Sequence, residues 1–315
     1  MFEYSDYIYE IYKEKNFTKA AKNLYISQPA LSATVKKLEE KMQVQIFDRS
    51  VTPLRLTPEG EAYIKAIEEI FSIEKDYENY IVDVSNLNVG SISVSGTYFI
   101  TSHILPEIIA SFSEKHPMIN INLVEANSKT LLKFLIEEKV ELLIDYIYDS
   151  EQIEAFPLFD EMILLCVPKS KSINSKLKEF ALSANDIRNG KHLNASTPSL
   201  SASVFKDEKF LMMKVGYSMN FIGFNVCREA GFTPDVAIYF DQLMTSYNMA
   251  CTGLGACFAS DTLVSNTAHN DELLYYKLDS PHVTRTAYLL HKKKRYLNKA
   301  AREFINIARE TYSKK

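Results

Sequence analysis

The fold of the N-terminal region is decided by residues 17–39, which read FTKAAKNLYISQPALSATVKKLE. The stretch predicts two short helices separated by a tight turn. Thr18 is expected to cap the first helix and Ser27 the second, because their hydroxyls can accept hydrogen bonds from free N–H groups in a first turn. Pro29 falls in the first turn of the second helix, where a missing N–H costs little. An amphipathic helix over residues 3–15 precedes the pair.

The second of these helices, predicted over residues 28–42, has two unlike faces. Its apolar stripe must face a core, and it consists of Leu31, Val35, Leu38 and Met42. The other face is small, polar and basic, which suits the major groove of DNA because side chains must reach base edges and phosphates there without bulk. With neighbouring positions, the residues predicted to bind DNA are Thr18, Ser27, Gln28, Pro29, Ala30, Ser32, Ala33, Thr34, Lys36, Lys37, Arg49 and Arg55. An ordinary solvated helix is the alternative that this pattern leaves open.

The charge of the chain is distributed unevenly. The net charge is −4, but residues 13–55 contain nine Lys and Arg against four Asp and Glu, a net of +5, so the rest of the chain carries −9. A short basic module attached to an acidic body indicates a polyanionic partner for the module alone.

A hairpin and a long helix follow the helix pair. Residues 44–49 and 54–57 read as two short strands, and this hairpin is called the wing below. Thr57 and Pro58 are a good cap and a good first residue for a helix that the pattern extends to residue 84. Apolar residues recur along it at spacings of three and four, as in a coiled-coil seam. A long helix between two modules is expected to pair with its own copy, here through Ile70, Ile73, Tyr77, Tyr80 and Val84.

These features resemble the winged helix-turn-helix of the LysR-type transcriptional regulators. The resemblance is carried by residues 17–39, by IFDR at residues 46–49 and by LTPEG at residues 56–60, and it extends more loosely to the whole chain. It implies a ligand-responsive, DNA-binding transcriptional regulator. The implied partners are double-stranded DNA, a small polar or anionic effector, and further copies of the chain in a homodimer or homotetramer.

The sequence departs from the family pattern at the recognition helix. Members often carry a basic residue after the second serine of the motif, where this chain has Ala33 and then Thr34. The glycine that usually ends the helix is replaced by Gln43, so the helix must be capped in another way.

The chain is expected to have four parts. They are a winged helix-turn-helix domain over residues 1–58, a linker and dimerisation helix over 59–85, a hinge over 86–90 and an effector-binding domain over 91–315. Strands alternate with helices in the last part, which favours a parallel α/β sheet.

The resemblance implies two α/β subdomains in this part, as in a periplasmic binding protein, joined by two crossing strands with a ligand cleft between them. Subdomain one is expected over about 91–160 and 268–315, and subdomain two over about 161–267. The apolar segments 273–278 and 286–291 are expected to re-enter subdomain one.

Ligands in such folds lie beyond the carboxyl ends of strands, near helix N-termini. The expected effector contacts are Thr97, Tyr98, Thr101, Ser102, Asn127, Ser128, Tyr146, Thr197, Ser199, Ser201 and Tyr247. Because no arginine is near residues 97–102 in sequence, an anionic effector would be held there mainly by backbone N–H groups and hydroxyls.

The composition excludes several classes of protein. Apolar residues make up 46% of the chain and charged residues 24%, which is typical of globular proteins and not of collagen-like or disordered ones. The longest apolar run, residues 162–167, is far shorter than the ~20 residues that span a bilayer. The acidic N-terminus does not read as a secretory signal, which favours a cytoplasmic location and no membrane partner.

No catalytic or metal site is expected. The six histidines are scattered, and no GxSxG, HExxH or Walker pattern is present. The four cysteines form no CxxC pair, and Cys251 and Cys257 are interpreted as buried structural thiols. We therefore expect a regulator without cofactor or metal. A solute-binding protein of periplasmic type and an α/β enzyme are the alternatives.

Overall fold

The computed structural model describes residues 2–51, 53–84, 90–146, 151–267 and 271–313. The chain divides into two compact units, Met1–Ser85 and Asn86–Lys315, and each unit has a hydrophobic core of its own. The predicted hinge lies outside the described residues except for Gly90, and so does the side chain of Val84 in the predicted seam.

The first unit consists of three helices, a short hairpin and a long helix. Its elements are α1 (Ser5–Glu14), α2 (Phe17–Asn23), α3 (Gln28–Met42), β1 (Phe47–Asp48), β2 (Arg55–Leu56) and α4 (Pro58–Val84). The predicted extents of α3 and α4 are confirmed, and the strands of the wing are shorter than predicted because they pair over two residues only. The core is built by residues from all four helices and the wing: Ile8, Ile11, Ala20, Ala21, Leu31, Val35, Leu38, Ile46, Phe47, Tyr63, Ile64 and Ile67.

The caps around the helix pair differ in part from the prediction. Ser27 caps α3 as predicted, accepting a hydrogen bond from the backbone N–H of Ala30 at 3.3 Å. The expected cap of α2 at Thr18 is wrong. Asn16 has this role and accepts from the N–H of Lys19 at 3.0 Å, because its amide oxygen reaches the first turn just as a hydroxyl would. Gln43 ends α3 in the left-handed region with φ 57°, the conformation that the family's usual glycine would adopt without strain.

Glu39 fastens α3 to the wing. One of its carboxylate oxygens accepts hydrogen bonds from the backbone N–H groups of Ile46 at 2.8 Å and Phe47 at 3.3 Å. The other accepts from the Arg49 guanidinium at 2.9 Å. Glu39 therefore contributes three hydrogen bonds to the orientation of the wing relative to α3.

The start of α4 lies against the backbone of the wing. Thr57 caps the helix by accepting from the N–H of Gly60 at 2.9 Å. A Cβ atom added at Gly60 would lie 2.0 Å from the carbonyl oxygen of Ile46. Only glycine permits this approach between helix and wing.

We expect Gly60→Ala to destabilise the first unit by about 1–3 kcal/mol through overpacking, although alanine by itself favours a helix by about 1 kcal/mol over glycine. Hydrogen exchange of the α3 amides, followed by mass spectrometry, measures the loss. Gly90→Ala is the matched control because no atom lies within 4 Å of its added Cβ. Equal protection of α3 in both variants would contradict the assigned close approach.

The second unit alternates strands and helices. Its strands are β3 (Gly90–Gly96), β4 (Ile119–Glu125), β5 (Leu142–Asp145), β6 (Ile153–Pro168), β7 (Ala181–Leu182), β8 (Lys209–Met213), β9 (Asp235–Phe240), β10 (Ala256–Ser260), β11 (Leu273–Tyr276) and β12 (Thr284–Lys292). Its α-helices are α5 (Tyr98–His103), α6 (Leu105–Lys115), α7 (Ser128–Ile136), α8 (Ala184–Arg188), α9 (Ser218–Glu229), α10 (Leu243–Cys251), α11 (Asp261–Asn266) and α12 (Lys299–Ser313). The predicted α/β class with two subdomains is confirmed.

The strand β6 belongs to both subdomains. Its first part pairs with β12 in the order β4-β3-β5-β12-β6, and its last part pairs with β10 and β11. Within the first subdomain β3, β4 and β5 are parallel, and within the second β8, β9 and β10 are parallel. The carboxyl ends of β3, β4, β5, β8 and β9 border the space between the subdomains.

The expected return of residues 273–278 to subdomain one is wrong. β11 pairs with β6 at residues 165–168 and with β7, so it belongs to the second subdomain. The chain returns only at β12, which pairs with β5 and with the first part of β6. A short apolar strand can be buried equally well in either sheet, so its hydrophobicity does not indicate which sheet it joins.

Candidate functional site

The α3 helix presents the face that the sequence predicted. Leu31, Val35 and Leu38 are buried, whereas Gln28, Pro29, Ala30, Ala33, Lys36 and Lys37 are exposed. Thr18 and Ser27 are also exposed, on α2 and at the start of α3. The half-buried Thr34 donates its hydroxyl to the carbonyl of Ala30 at 3.0 Å, so this proton is already used within α3.

A polar groove of about 290 Å³ lies between the start of α3 and the wing. Three of the predicted DNA-binding residues, Gln28, Ser32 and Arg49, line it together. Lys15 and Asn16, which were not predicted, line it as well. In the sequence, Lys15 and Asn16 belong to the turn before α2. This turn indicates where the helix begins, but it does not indicate that the two residues line a groove.

Arg49 is held in place by three neighbours. It pairs with Glu39 at 2.9 Å, donates to the hydroxyl of Ser32 at 3.4 Å, and lies over the Phe17 ring at 5.0 Å from its centroid. Its side chain is still 41% exposed, so its outer edge is accessible to a phosphate. Arg55 is exposed on β2, opposite Asp48 in the wing.

A cleft of about 250 Å³ lies between the two subdomains of the second unit. The first wall is formed where β3, β4 and β5 end, and it includes the predicted residues Thr97, Tyr98, Asn127, Ser128 and Tyr146. Phe99, Glu125, Ala126 and Asp145 complete this wall. The prediction that this edge of the first sheet forms one side of a cleft therefore agrees with the geometry.

Six of the predicted effector contacts lie elsewhere. Thr101 is buried beside the cleft without lining it, and its hydroxyl donates to Glu125 Oε2 at 2.7 Å. Ser102 and Ser199 are exposed outside the lining, Thr197 donates to the carbonyl of Lys191, and Ser201 caps a short 3-10 helix, Ala202–Phe205. Tyr247 is buried inside α10, where its hydroxyl bonds to that of Tyr275.

The second wall comes from residues that were not predicted. They are Met213, Tyr217, Ser218, Met219, Asp241, Gln242 and Leu243, at the ends of β8 and β9 and the starts of α9 and α10. Thr97 is a predicted contact because a helix follows a strand directly at that point. The same pattern occurs where α9 follows β8 and where α10 follows β9. The hydroxyl-bearing residues predicted for this wall, Thr197, Ser199 and Ser201, do not line the cleft.

The expectation that no arginine approaches the cleft is wrong. Arg285, from β12, lines the cleft although it lies far from the other lining residues in sequence. Its Nε and Nη2 atoms donate to Glu161 Oε2 at 2.8 and 2.7 Å, and its Nη1 donates to the Ser218 hydroxyl at 2.8 Å. The guanidinium lies 3.5 Å from the centroid of the Tyr146 ring.

This arginine joins the two subdomains. Tyr146 follows β5 in the first subdomain and Ser218 begins α9 in the second, while Arg285 and Glu161 are direct partners on the crossing pair β12 and β6. Burial and the neighbouring carboxylate of Glu161 raise the pKa of the Tyr146 phenol well above its usual range, so this hydroxyl stays protonated. Burial lowers the pKa of Arg285, but Glu161 more than offsets this, and the guanidinium stays charged.

The cysteines are free and mostly buried. Cys166 and Cys257 are opposite each other on β6 and β10, and burial raises the pKa of Cys166 well above its usual range. Cys257 is buried and Cys251 half-buried, where both had been predicted to be buried. Among the residues with described positions, no group of three or more metal-binding side chains occurs, and no helix is long and apolar enough to cross a membrane.

We expect Tyr247→Phe to lower the free energy of unfolding by about 1–2 kcal/mol, because the buried hydroxyl of Tyr275 loses its partner. Urea unfolding of the second unit measures the change. Tyr98→Phe, which removes a hydroxyl from a ring 40% exposed in the cleft, is the control and should leave stability unchanged. A larger loss in the control would reverse the roles assigned to the two tyrosines.

Two models of known protein families match this chain, each over a different part. Residues 4–61 match the model of the "Bacterial regulatory helix-turn-helix protein, lysR family", and residues 85–313 match that of the "LysR substrate binding domain". A Bacillus subtilis (strain 168) protein described as an uncharacterized HTH-type transcriptional regulator, YcgK, is 27% identical, covering 97% of this chain and 93% of that protein.

Solved structures show the same fold. A full-length variant of OxyR from Pseudomonas aeruginosa superposes with a TM-score of 0.66 at 21% identity, over 98% of this chain and 93% of that one. Full-length CbnR, described as complexed with its target DNA, gives a TM-score of 0.60 at 16% identity over 99% of both chains.

Proposed function

Because the chain belongs to the LysR family of DNA-binding transcriptional regulators, we propose that α3 and the wing read its operator while a small-molecule effector occupies the cleft of the second unit. The observation that carries the DNA part is the exposed, small and polar face of α3 beside the groove that contains Gln28, Ser32 and Arg49. The family is one of transcriptional regulators, which are generally not enzymes. As a DNA-binding protein it acts in the compartment that holds the DNA, which in a bacterium is the cytoplasm.

DNA recognition by this face divides into two kinds of contact. Gln28, exposed in the first turn of α3, has an amide that can bond the base edge of an adenine in the major groove. Lys36, Lys37, Arg49 and Arg55 are exposed or partly exposed cations, suited to phosphates. Lys36 has only a loose surface pair with Glu40 at 3.7 Å, so it is available for a phosphate at little cost. CbnR, a structural neighbour with the same fold, is described as complexed with its target DNA, which is consistent with DNA binding by this chain.

We expect the Gln28→Ala variant to lose its base preference at one position of the DNA site. The binding free energy for the preferred base at that position should weaken by about 1–3 kcal/mol. Selection from a pool of random DNA duplexes, followed by sequencing, reveals this loss even when the operator sequence is unknown. Lys36→Ala is the contrasting variant. It should weaken all sequences about equally and reduce the salt dependence of binding by the equivalent of about one counterion. An unchanged selection profile for Gln28→Ala would remove Gln28 from the base-reading set.

Self-association through α4 is supported by an exposed apolar stripe. Ile73 is 67% exposed, Tyr77 64% and Tyr80 48%, and Ile70 at the start of the stripe is half-buried. Ile81, 47% exposed, extends the stripe and was not predicted. Large apolar side chains that recur on one side of a long helix are typical of a surface covered by a second copy. We therefore propose that α4 forms the dimer contact, and that this contact sets the distance between the two DNA-reading helices.

We expect Ile73→Glu to weaken the dimer strongly, because a charge would be buried in the seam without a partner. Sedimentation velocity over a range of concentrations measures the shift towards monomer. Lys75→Glu makes a larger charge change on the opposite side of the same helix and should leave the dimer intact. A folded Ile73→Glu dimer of unchanged affinity would show that the contact lies elsewhere.

The effector part of the proposal is supported by the position of the cleft. Its lining comes from both subdomains, and Arg285 touches Tyr146 on one side and Ser218 on the other. A ligand that contacts both walls binds closed and open arrangements of the subdomains with different affinity, which is what a population shift requires. We propose that this shift is transmitted to the DNA-binding units of the dimer.

A further inference from the structure

One aromatic side chain of the helix-turn-helix lies outside the core. Tyr25 is in the turn between α2, which ends at Asn23, and α3, which begins at Gln28. The residue is 96% exposed, the highest value among the large apolar and aromatic residues that the structure describes. An aromatic ring contributes to stability chiefly through burial, so the Tyr25 ring contributes almost nothing to the fold of the first unit.

The backbone at Tyr25 is in a conformation that disfavours a large side chain. Its φ of 57° lies in the left-handed region, where glycine and asparagine are usual. The turn requires this conformation, because the N–H of Tyr25 donates to the carbonyl of Lys22 at 3.2 Å. The next N–H, that of Ile26, donates to the carbonyl of Ala21 at 3.0 Å. Glycine or asparagine would form the same turn with less strain.

Tyrosine at this position is therefore unfavourable for the fold in two ways. Its backbone is strained, and its ring is left in water. Strained residues are typical of places where a protein binds a partner. The combination of strain and exposure points to a contact outside this chain.

The turn lies where the first unit is proposed to meet DNA. In a helix-turn-helix the second helix enters the major groove and the first crosses the sugar–phosphate backbone. The turn between them therefore passes the edge of the groove, beside the phosphates. Tyr25 is three residues before Gln28, so their Cα atoms are at most about 11 Å apart. Lys22, exposed on α2 beside the turn, adds positive charge at the same edge.

We propose that Tyr25 is a contact to the DNA backbone. Its phenol hydroxyl donates to a phosphate oxygen at the edge of the major groove, and its ring packs against the neighbouring deoxyribose. This inference rests on the proposed DNA-reading function of α3 and adds to it a residue that does not belong to the α3 face. Contacts of this kind fix the register of a protein on the duplex and carry no sequence information.

A neutral phosphate contact has a measurable signature of its own. The phenol replaces no counterion, so its loss weakens binding without changing the dependence of affinity on salt. It reads no base, so its loss weakens all sequences about equally. Gln28→Ala is expected to change the base preference and Lys36→Ala the salt dependence. The three residues are therefore distinguishable on the same DNA.

Two substitutions separate the hydroxyl of Tyr25 from its ring. Tyr25→Phe removes the hydroxyl alone. Tyr25→Asn removes the ring as well, and asparagine tolerates the left-handed backbone. Fluorescence anisotropy over a series of salt concentrations measures binding of the full-length chain to a duplex that the native chain selects from the random pool. We expect Tyr25→Asn to weaken binding about tenfold. Tyr25→Phe should have a smaller effect in the same direction, and both variants should keep the native salt dependence.

Hydrogen exchange and a second tyrosine provide the controls. Because strain is relieved and no packing is lost, Tyr25→Asn should leave the protection of the α2 and α3 amides equal to that of the native chain or higher. Tyr239→Asn makes the same substitution at a tyrosine that is 48% exposed on β9 of the second unit. It should keep native affinity for the duplex.

Four outcomes are decisive. Native affinity in Tyr25→Phe, with Lys36→Ala still weakened, overturns the phosphate contact and leaves the proposed DNA-reading face standing. Weaker binding in Tyr25→Asn together with lower protection of α3 also overturns it, because the ring then acts in folding. A changed base preference in Tyr25→Asn places the ring at a base edge and contradicts the backbone contact. Unchanged binding in Tyr25→Phe, Gln28→Ala and Lys36→Ala alike contradicts the DNA-reading face itself, and the inference fails with it.

Discussion

The architecture of the second unit depends on the ion pair between Arg285 and Glu161. The two residues are direct partners on the antiparallel strands β12 and β6, and these are the strands that connect the subdomains. Removing one partner of a buried pair typically costs about 3–5 kcal/mol, because the other charge is left uncompensated. The pair also determines the cleft, since the same guanidinium supports the Tyr146 ring from one side and bonds Ser218 on the other. Stability and ligand chemistry are therefore set by one cluster.

Glu39 has the corresponding role in the first unit. Its carboxylate ties the C-terminal half of α3 to the backbone of the wing and to Arg49. Arg49 therefore has two anionic partners, the carboxylate of Glu39 and the phosphates that it is proposed to contact. Because its charge is partly satisfied within the protein, its contribution to DNA binding is expected to be smaller than that of Lys36, which has only a distant surface partner.

The first unit was largely predictable from the sequence because its signals are local. The cap at Ser27, the proline in the first turn of α3, the apolar stripe through Leu31, Val35 and Leu38, and the long helix from Pro58 all involve residues within a few turns of one another. The error in the cap of α2, Thr18 in place of Asn16, arose between two residues that both have good capping side chains. The Asn16 amide is the one in position to reach the N–H of Lys19.

The sequence by itself determined the family resemblance, the helix-turn-helix, the wing, the apolar stripe of α4 and the α/β class, because each depends on periodicity or on short motifs. Only the tertiary structure decided which residues form the cleft. Five of the predicted contacts line it, but the second wall and Arg285 do not follow from any local pattern. Glu161 and Arg285 are 124 residues apart in the chain and meet because β6 and β12 pair. Such pairing depends on which strand each sheet accepts as a neighbour, and short apolar strands such as β11 carry no local signal for that choice.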